Sequence, residues 1–148
     1  MTRVEHDSPG RRPRVLLADD YAPLLVSWRR ILEPSCDVVA AVSDGREVLD
    51  AAKLHLPDVV VLDIAMPDVN GIVACRALKA AFPRIGVVLV SAFDDTAFQQ
   101  AADEAGASAF VVKSVSAEEL EPAIAHAFPG TLPFRAFTLR RGDDGPGR

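Results

Sequence analysis

Three aspartates, a serine and a lysine stand where apolar runs stop. Asp19 and Asp20 follow Val15-Leu16-Leu17-Ala18, and Asp63 follows Val59-Val60-Val61-Leu62. Ser91 follows Val87-Val88-Leu89-Val90, and Lys113 follows Ala109-Phe110-Val111-Val112. Carboxylates can hold hard divalent cations and can act as covalent nucleophiles. An ammonium offers a compact point charge for phosphoryl oxygens, and a hydroxyl offers a donor. The set matches what phosphoryl transfer asks of a protein, which is positioning and charge neutralisation. Adjacent carboxylates ~4 Å apart repel by about 4 kcal/mol at an effective dielectric near 20. Mg²⁺, which takes one or two carboxylates plus waters and phosphate oxygens, would remove that penalty. Asp is also a favoured helix N-cap, and for a single Asp at position 19 or 20 that reading stays open.

The elements that must position these residues are legible. Apolar runs begin near residues 15, 38, 59, 87 and 109, a spacing that suits strand, helix and two short loops. Short Val- and Leu-rich runs read as parallel strands buried on both faces. Between them, segments 21–33, 45–55, 70–82, 94–105 and 116–128 carry apolar residues at helical spacing. Pro23 lies harmlessly in a first helical turn. Gly106 is the expected left-handed helix stop, and Ser116-x-x-Glu119 reads as a capping box. Pro122 should bend or shorten the last helix. Five βα repeats predict a parallel sheet with helices on both faces and right-handed crossovers. In such a sheet ligands bind outside the carboxyl ends of the strands. The five chemical groups, distant in sequence, would therefore meet at one edge.

Size and composition narrow the function classes. The chain has 148 residues and is 49% hydrophobic, enough for one domain with a real core. Its formal charge of −5 lacks the basic balance of a nucleic-acid binder. Cys36 and Cys75 have no partner ligands at zinc spacing and read as buried thiols. No apolar stretch is long enough to span a membrane, and the N-terminus lacks the apolar core of a secretion signal, so a cytoplasmic location is expected. Residues 1–13 read as a flexible leader, 14–128 as the folded domain and 129–148 as a C-terminal tail. Within that tail the patch Leu132-Pro133-Phe134 through Leu139 is more apolar than a linker requires; a frayed tail is the plainer expectation, and folding back on the domain or on a partner is the alternative.

Asp19-Asp20, Asp63 with Met66-Pro67 and Asn70-Gly71, Ser91, and Ala105-Gly106-Ala107 leading to Lys113 together resemble the receiver domain of bacterial two-component response regulators. The resemblance implies a single flavodoxin-like (βα)5 domain, strand order 2-1-3-4-5. It implies that Asp63 accepts a phosphoryl group from a sensor histidine kinase or a histidine phosphotransfer protein. It further implies that Asp20, Asp63 and the Ala65 backbone carbonyl hold Mg²⁺, with Asp19 assisting through water. Lys113 would bind a phosphoryl oxygen, and Ser91 would swing toward the phosphoryl group. Phe110 occupies the aromatic position coupled to that swing; core packing is the plainer alternative.

Three positions depart from the family pattern. Ser114 stands where a cis proline commonly follows the lysine, so either the bond is strained or the loop differs. Ala65 and Phe93, two residues past Asp63 and Ser91, tune phosphoryl loss in the family; neither can orient a water, and slow self-dephosphorylation is expected. The chain is too short after residue 128 for a helix-turn-helix output module, so a stand-alone regulator without a DNA-binding domain is expected. It would act through protein contacts, with a downstream effector or a homodimer, and would catalyse only its own phosphorylation and dephosphorylation. Two other readings stay open: a receiver-like interaction module without phosphorylation, and a Mg²⁺ phosphohydrolase. The second wants a further carboxylate near Asp63 as acid or base, where Ala65 stands.

Overall fold

The computed structural model describes residues 11–67, 69–129 and 132–138. The order is β1 (Arg14–Ala18), α1 (Ala22–Leu32), β2 (Asp37–Val42), α2 (Gly45–His55), β3 (Val59–Asp63) and α3 (Gly71–Ala81). There follow β4 (Gly86–Ser91), α4 (Thr96–Glu104), β5 (Ala109–Val112), a 3-10 turn (Lys113–Val115), α5 (Ser116–Ala127) and β6 (Arg135–Phe137). All strands pair in parallel in the order β2-β1-β3-β4-β5-β6. The expected flavodoxin-like sheet is present, with a sixth strand added beyond β5.

Strand alternation divides the core in two. Leu16, Val60, Leu62, Val87, Leu89 and Phe110 face α2, α3 and α4, against Val48, Ala52, Ala74, Leu78 and Ala102. Val15, Leu17, Val59, Val61, Val88 and Val111 face α1 and α5, against Trp28, Leu32, Leu120, Ala123 and Ile124. A residue on each pleat thus reaches a helix layer, which is why β1, β3, β4 and β5 read as unbroken apolar runs. β2 differs: as an edge strand it is only half-buried, contrary to the expectation of burial on both faces.

Local signals place most helix starts. Asp44, Asn70 and Asp95 cap α2, α3 and α4 by accepting hydrogen bonds from Arg46 N, Val73 N and Ala97 N. The capping box expected at Ser116 does not form. Val115 is the N-cap and Ser116 is already the first helical residue, its hydroxyl turned to another use described below. Pro122 neither ends nor shortens α5, which runs on to Ala127.

The segment after α5 is structured where it is described. His126 lies in hydrogen-bond contact with the Pro133 carbonyl and edge-on against the Phe137 ring, and Phe137 is buried. The step from β5 to β6 continues in the direction of β3 to β4 and β4 to β5. Its helix, however, lies on the opposite face, so this last crossover is left-handed, unlike the four right-handed ones expected from the sequence. Upstream, Arg11 pairs with Asp58 while Arg12 pairs with Asp37 and donates to the carbonyls of Glu33, Pro34 and Cys36. Residues 11–13, expected to be loose leader, are fastened to the amino end of the sheet; residues 1–10 lie outside the described residues, as do Gly130, Thr131 and 139–148 of the expected tail.

Truncating a buried Phe in a core costs about 3–5 kcal/mol. For Phe137→Ala, at the sheet edge, a loss of about 2–3 kcal/mol is expected in urea unfolding. Unfolding at the wild-type midpoint would show that β6 adds nothing to the domain.

Candidate functional site

The carboxyl ends of β1, β3, β4 and β5 form one rim, and the expected side chains gather there. Asp19, directly after β1, is fully buried and its amide donates to the Val42 carbonyl. Its Oδ1 accepts from the Tyr21 amide at 2.8 Å. Neither Asp19 nor Asp20 caps α1: Tyr21 is the N-cap, without a side-chain bond. The capping alternative for these aspartates is therefore removed. Asp63, the last residue of β3, is 2% exposed, and its Oδ1 accepts from the Ala65 amide at 3.3 Å. Lys113 Nζ lies 3.2 Å from Asp63 Oδ2 and 2.9 Å from Asp19 Oδ2. Asp20 is exposed at the rim.

One oxygen from each of Asp19, Asp20 and Asp63 lies within 4.8 Å of the others. At that distance each carboxylate pair repels by about 3–4 kcal/mol at an effective dielectric near 20. Burial, then the charge of Asp19, raises the Asp63 carboxyl to about 6, although Lys113 pulls the other way. Burial lowers the Lys113 ammonium, but the contacts with Asp19 and Asp63 outweigh it, and its pKa is raised. Three carboxylates face one ammonium, leaving two negative charges over. The buried Asp19 Oδ2 meets the ammonium off hydrogen-bond alignment and, among the described residues, has no hydrogen-bond partner. This oxygen-rich, under-neutralised set suits a hard divalent cation such as Mg²⁺.

The cleft beside the acids has a volume of about 170 Å³ and is lined by Asp20, Asp63, Ala65, Ser91, Phe93, Phe98 and Lys113, with Ile64 and Ala92. Ser91 is buried at the end of β4, and its Oγ accepts from the Phe93 amide at 3.1 Å. Ala65 is exposed on the loop after β3, and Phe93 is 66% exposed at the mouth. Phe110 is fully buried among the helix-facing residues of the sheet and does not line the cleft. Phe98 was not picked out from the sequence; its only signal is a five-residue offset from Phe93, one that carries it from the loop onto α4. The turn after Asp63 is fixed by close backbone approach. A Cβ on Gly71 would run into the Asp63 carbonyl oxygen, and the Gly71 amide donates to the Ile64 carbonyl. Asp68 in this loop lies outside the described residues.

The Lys113–Ser114 bond is not cis, so it is the loop that differs: Lys113 opens a 3-10 turn. The response regulator receiver domain family matches residues 15–125. The chain belongs to this family. Among curated relatives of this receiver, the transcriptional regulatory protein PdtaR of Mycobacterium tuberculosis is 36% identical over 146 residues, 97% of this chain and 69% of that protein. The transcriptional regulatory protein DegU of Brevibacillus brevis is 33% identical over 113 residues, 75% of this chain and 48% of that protein. The receiver thus spans between about half and somewhat over two thirds of these relatives. Among solved structures, a LuxR-family response regulator from Aurantimonas sp. SI85-9A1 superposes with TM-score 0.79 at 30% identity, over 90% of this chain and 94% of that one. The response regulator domain of Thermotoga maritima CheB gives 0.75 at 30% identity, over 82% and 100%.

A carboxyl with a folded pKa above its unfolded value binds its proton more tightly in the folded state. Ionised Asp63 therefore costs this receiver stability; the cost is present above about pH 6 and absent below about 4. With divalent ions chelated, Asp63→Asn should be more stable than wild type at pH 7.5 by about 1–3 kcal/mol. The gap should close as pH falls through 6 toward 4 in denaturant titrations, and a pH-independent gap would contradict this electrostatic origin.

Proposed function

We propose that this receiver accepts a phosphoryl group on Asp63 from a phosphohistidine of a sensor histidine kinase or a histidine phosphotransfer protein. The observation that carries this is the placement of Asp63: ionisable, at the foot of a cleft, with Lys113 on one oxygen and two further aspartates beside it. An Asp63 oxygen forms the new O–P bond as the N–P bond of the donor breaks. The bonding pair returns to the donor imidazole, which takes up a proton. Lys113 meets the phosphoryl oxygens as charge accumulates on them, and the Ser91 hydroxyl, on the cleft wall, is a donor for another.

Asp19, Asp20 and Asp63 would hold Mg²⁺, with the Ala65 carbonyl as a further oxygen on the same loop. Bound there, the ion supplies charge neutralisation for the incoming phosphoryl group. Ala65 and Phe93 offer no group to orient a hydrolytic water, and no second carboxylate stands two residues beyond Asp63. The acyl phosphate is accordingly a stored state, and the chain catalyses its own phosphorylation and dephosphorylation rather than turnover of an outside substrate.

Output runs through protein contact, with an effector or a second copy of the chain, on the faces nearest Ser91 and Lys113. Among the described residues no helix is long and apolar enough to cross a membrane, in keeping with action in the cytoplasm where kinase phosphodonors lie.

Acetyl phosphate with Mg²⁺ should add one phosphoryl group to wild type and none to Asp63→Asn, read by intact mass. The adduct should decay over hours, and Phe93→Glu should shorten its life. Decay of the wild-type adduct within a minute, or labelling that persists in Asp63→Asn, would refute the assignment.

A further inference from the structure

The chain's single tryptophan is tied to the phosphoryl-binding lysine through one buried serine. Trp28 lies within α1, fully buried, and its indole Nε1–H donates to Ser116 Oγ at 3.1 Å across 88 residues of sequence. Ser116 is itself 4% exposed, and its Oγ donates to the Lys113 carbonyl at 2.9 Å. A hydroxyl has one proton to give, so the direction of this chain is fixed: indole to hydroxyl to carbonyl. The Ser116 amide donates to the same carbonyl, closing the 3-10 turn that Lys113 begins. The Lys113 main chain is thus held from behind by two donors from one residue, while its ammonium reaches Asp19 and Asp63 in front.

We propose that Trp28 and Ser116 are positioning residues for Lys113. They aim its side chain at the acid cluster from a loop that lacks a proline to stiffen it. Three features separate this from ordinary core packing. Ser116 is a polar residue buried in an apolar layer, and it has given up the helix-capping role that its sequence context offered. The indole N–H has a specific acceptor where a Phe would have filled the same layer. The contact also links α1, which begins just after Asp19 and Asp20, to the Lys113 turn at the far side of the rim. The two flanks of the acid cluster are therefore joined beneath the sheet as well as across the site.

The role of Lys113 in phosphoryl transfer rests on the function proposed above, so the test has an arm that does not. Lys113 acetylation by limiting acetic anhydride is followed by peptide mass in metal-free protein, with Lys79 and the exposed Lys53 as internal references. Ser116→Ala and Trp28→Phe should raise Lys113 labelling about threefold or more with the references unchanged, and Ser116→Thr, which keeps the hydroxyl, should restore the wild-type value. In the second arm, both variants should take phosphoryl from acetyl phosphate about tenfold more slowly while Mg²⁺ affinity stays within about twofold of wild type. Unchanged Lys113 labelling in both variants, labelling that rises equally at Lys79, or a slower rate that merely follows lost Mg²⁺ affinity would each overturn the proposal. Wild type that takes no phosphoryl group would sink the proposed function instead, and the labelling arm would still decide whether Trp28 and Ser116 hold Lys113.

Discussion

Two buried carboxylates share one ammonium, and the rest of the rim is organised around the charge left over. Asp19 and Asp63 both lie within 3.2 Å of Lys113 Nζ, and neither has appreciable access to water. A single cation cannot neutralise two buried carboxylates and the exposed Asp20 beside them. Removing Lys113 from such a buried set would be costly, because both carboxylates would lose their compensation. The arrangement is tense by construction, and a divalent cation arriving from outside would relieve it.

The fold supplies this crowding at modest cost. Parallel strands end together at one edge, and the sheet order reverses between β1 and β3, where Asp19, Asp20 and Asp63 emerge. The strands behind them are apolar on both faces and clamped between two helix layers, so the acids cannot retreat from one another without disturbing a close-packed core. Gly71 lets the loop after Asp63 fold tightly against the strand end. The sixth strand pairs with β5, and Arg11 and Arg12 bind the amino end of the sheet, at positions remote from the rim.

Much of this was legible in the sequence, for reasons that differ by residue. Val-rich runs ending in Asp63, Ser91 and Lys113 fix both strand and site, because a buried parallel strand leaves few places for a polar group except its end. Asn70 and Asp95 stand at the openings of their helical segments and cap them by short-range bonds; Asp44, not singled out from the sequence, caps α2 in the same way. The failures come from tertiary competition. Ser116 carries the local pattern of a capping box, yet its hydroxyl is drawn to Trp28 and the Lys113 carbonyl, partners that no local window contains. Pro122 keeps company with a continuous helix because α5 is held by buried Leu120, Ala123 and Ile124. β6 is three residues long, too short for periodicity, and its pairing with β5 follows from Phe137 finding the core. Phe110 looks the same in sequence whether it serves a switch or the core, and its buried place on the helix-facing side of the sheet fits both.

The excess negative charge at the rim can be weighed by calorimetry of Mg²⁺ binding at pH 6 and pH 8 in buffers of different ionisation enthalpy. With the Asp63 carboxyl near 6 before the ion arrives, binding at pH 6 should release roughly half a proton per site, and almost none at pH 8. Heats independent of buffer at both pH values, or no saturable binding at all, would mean that these carboxylates do not act as one charged unit, and the account given for this site would fail.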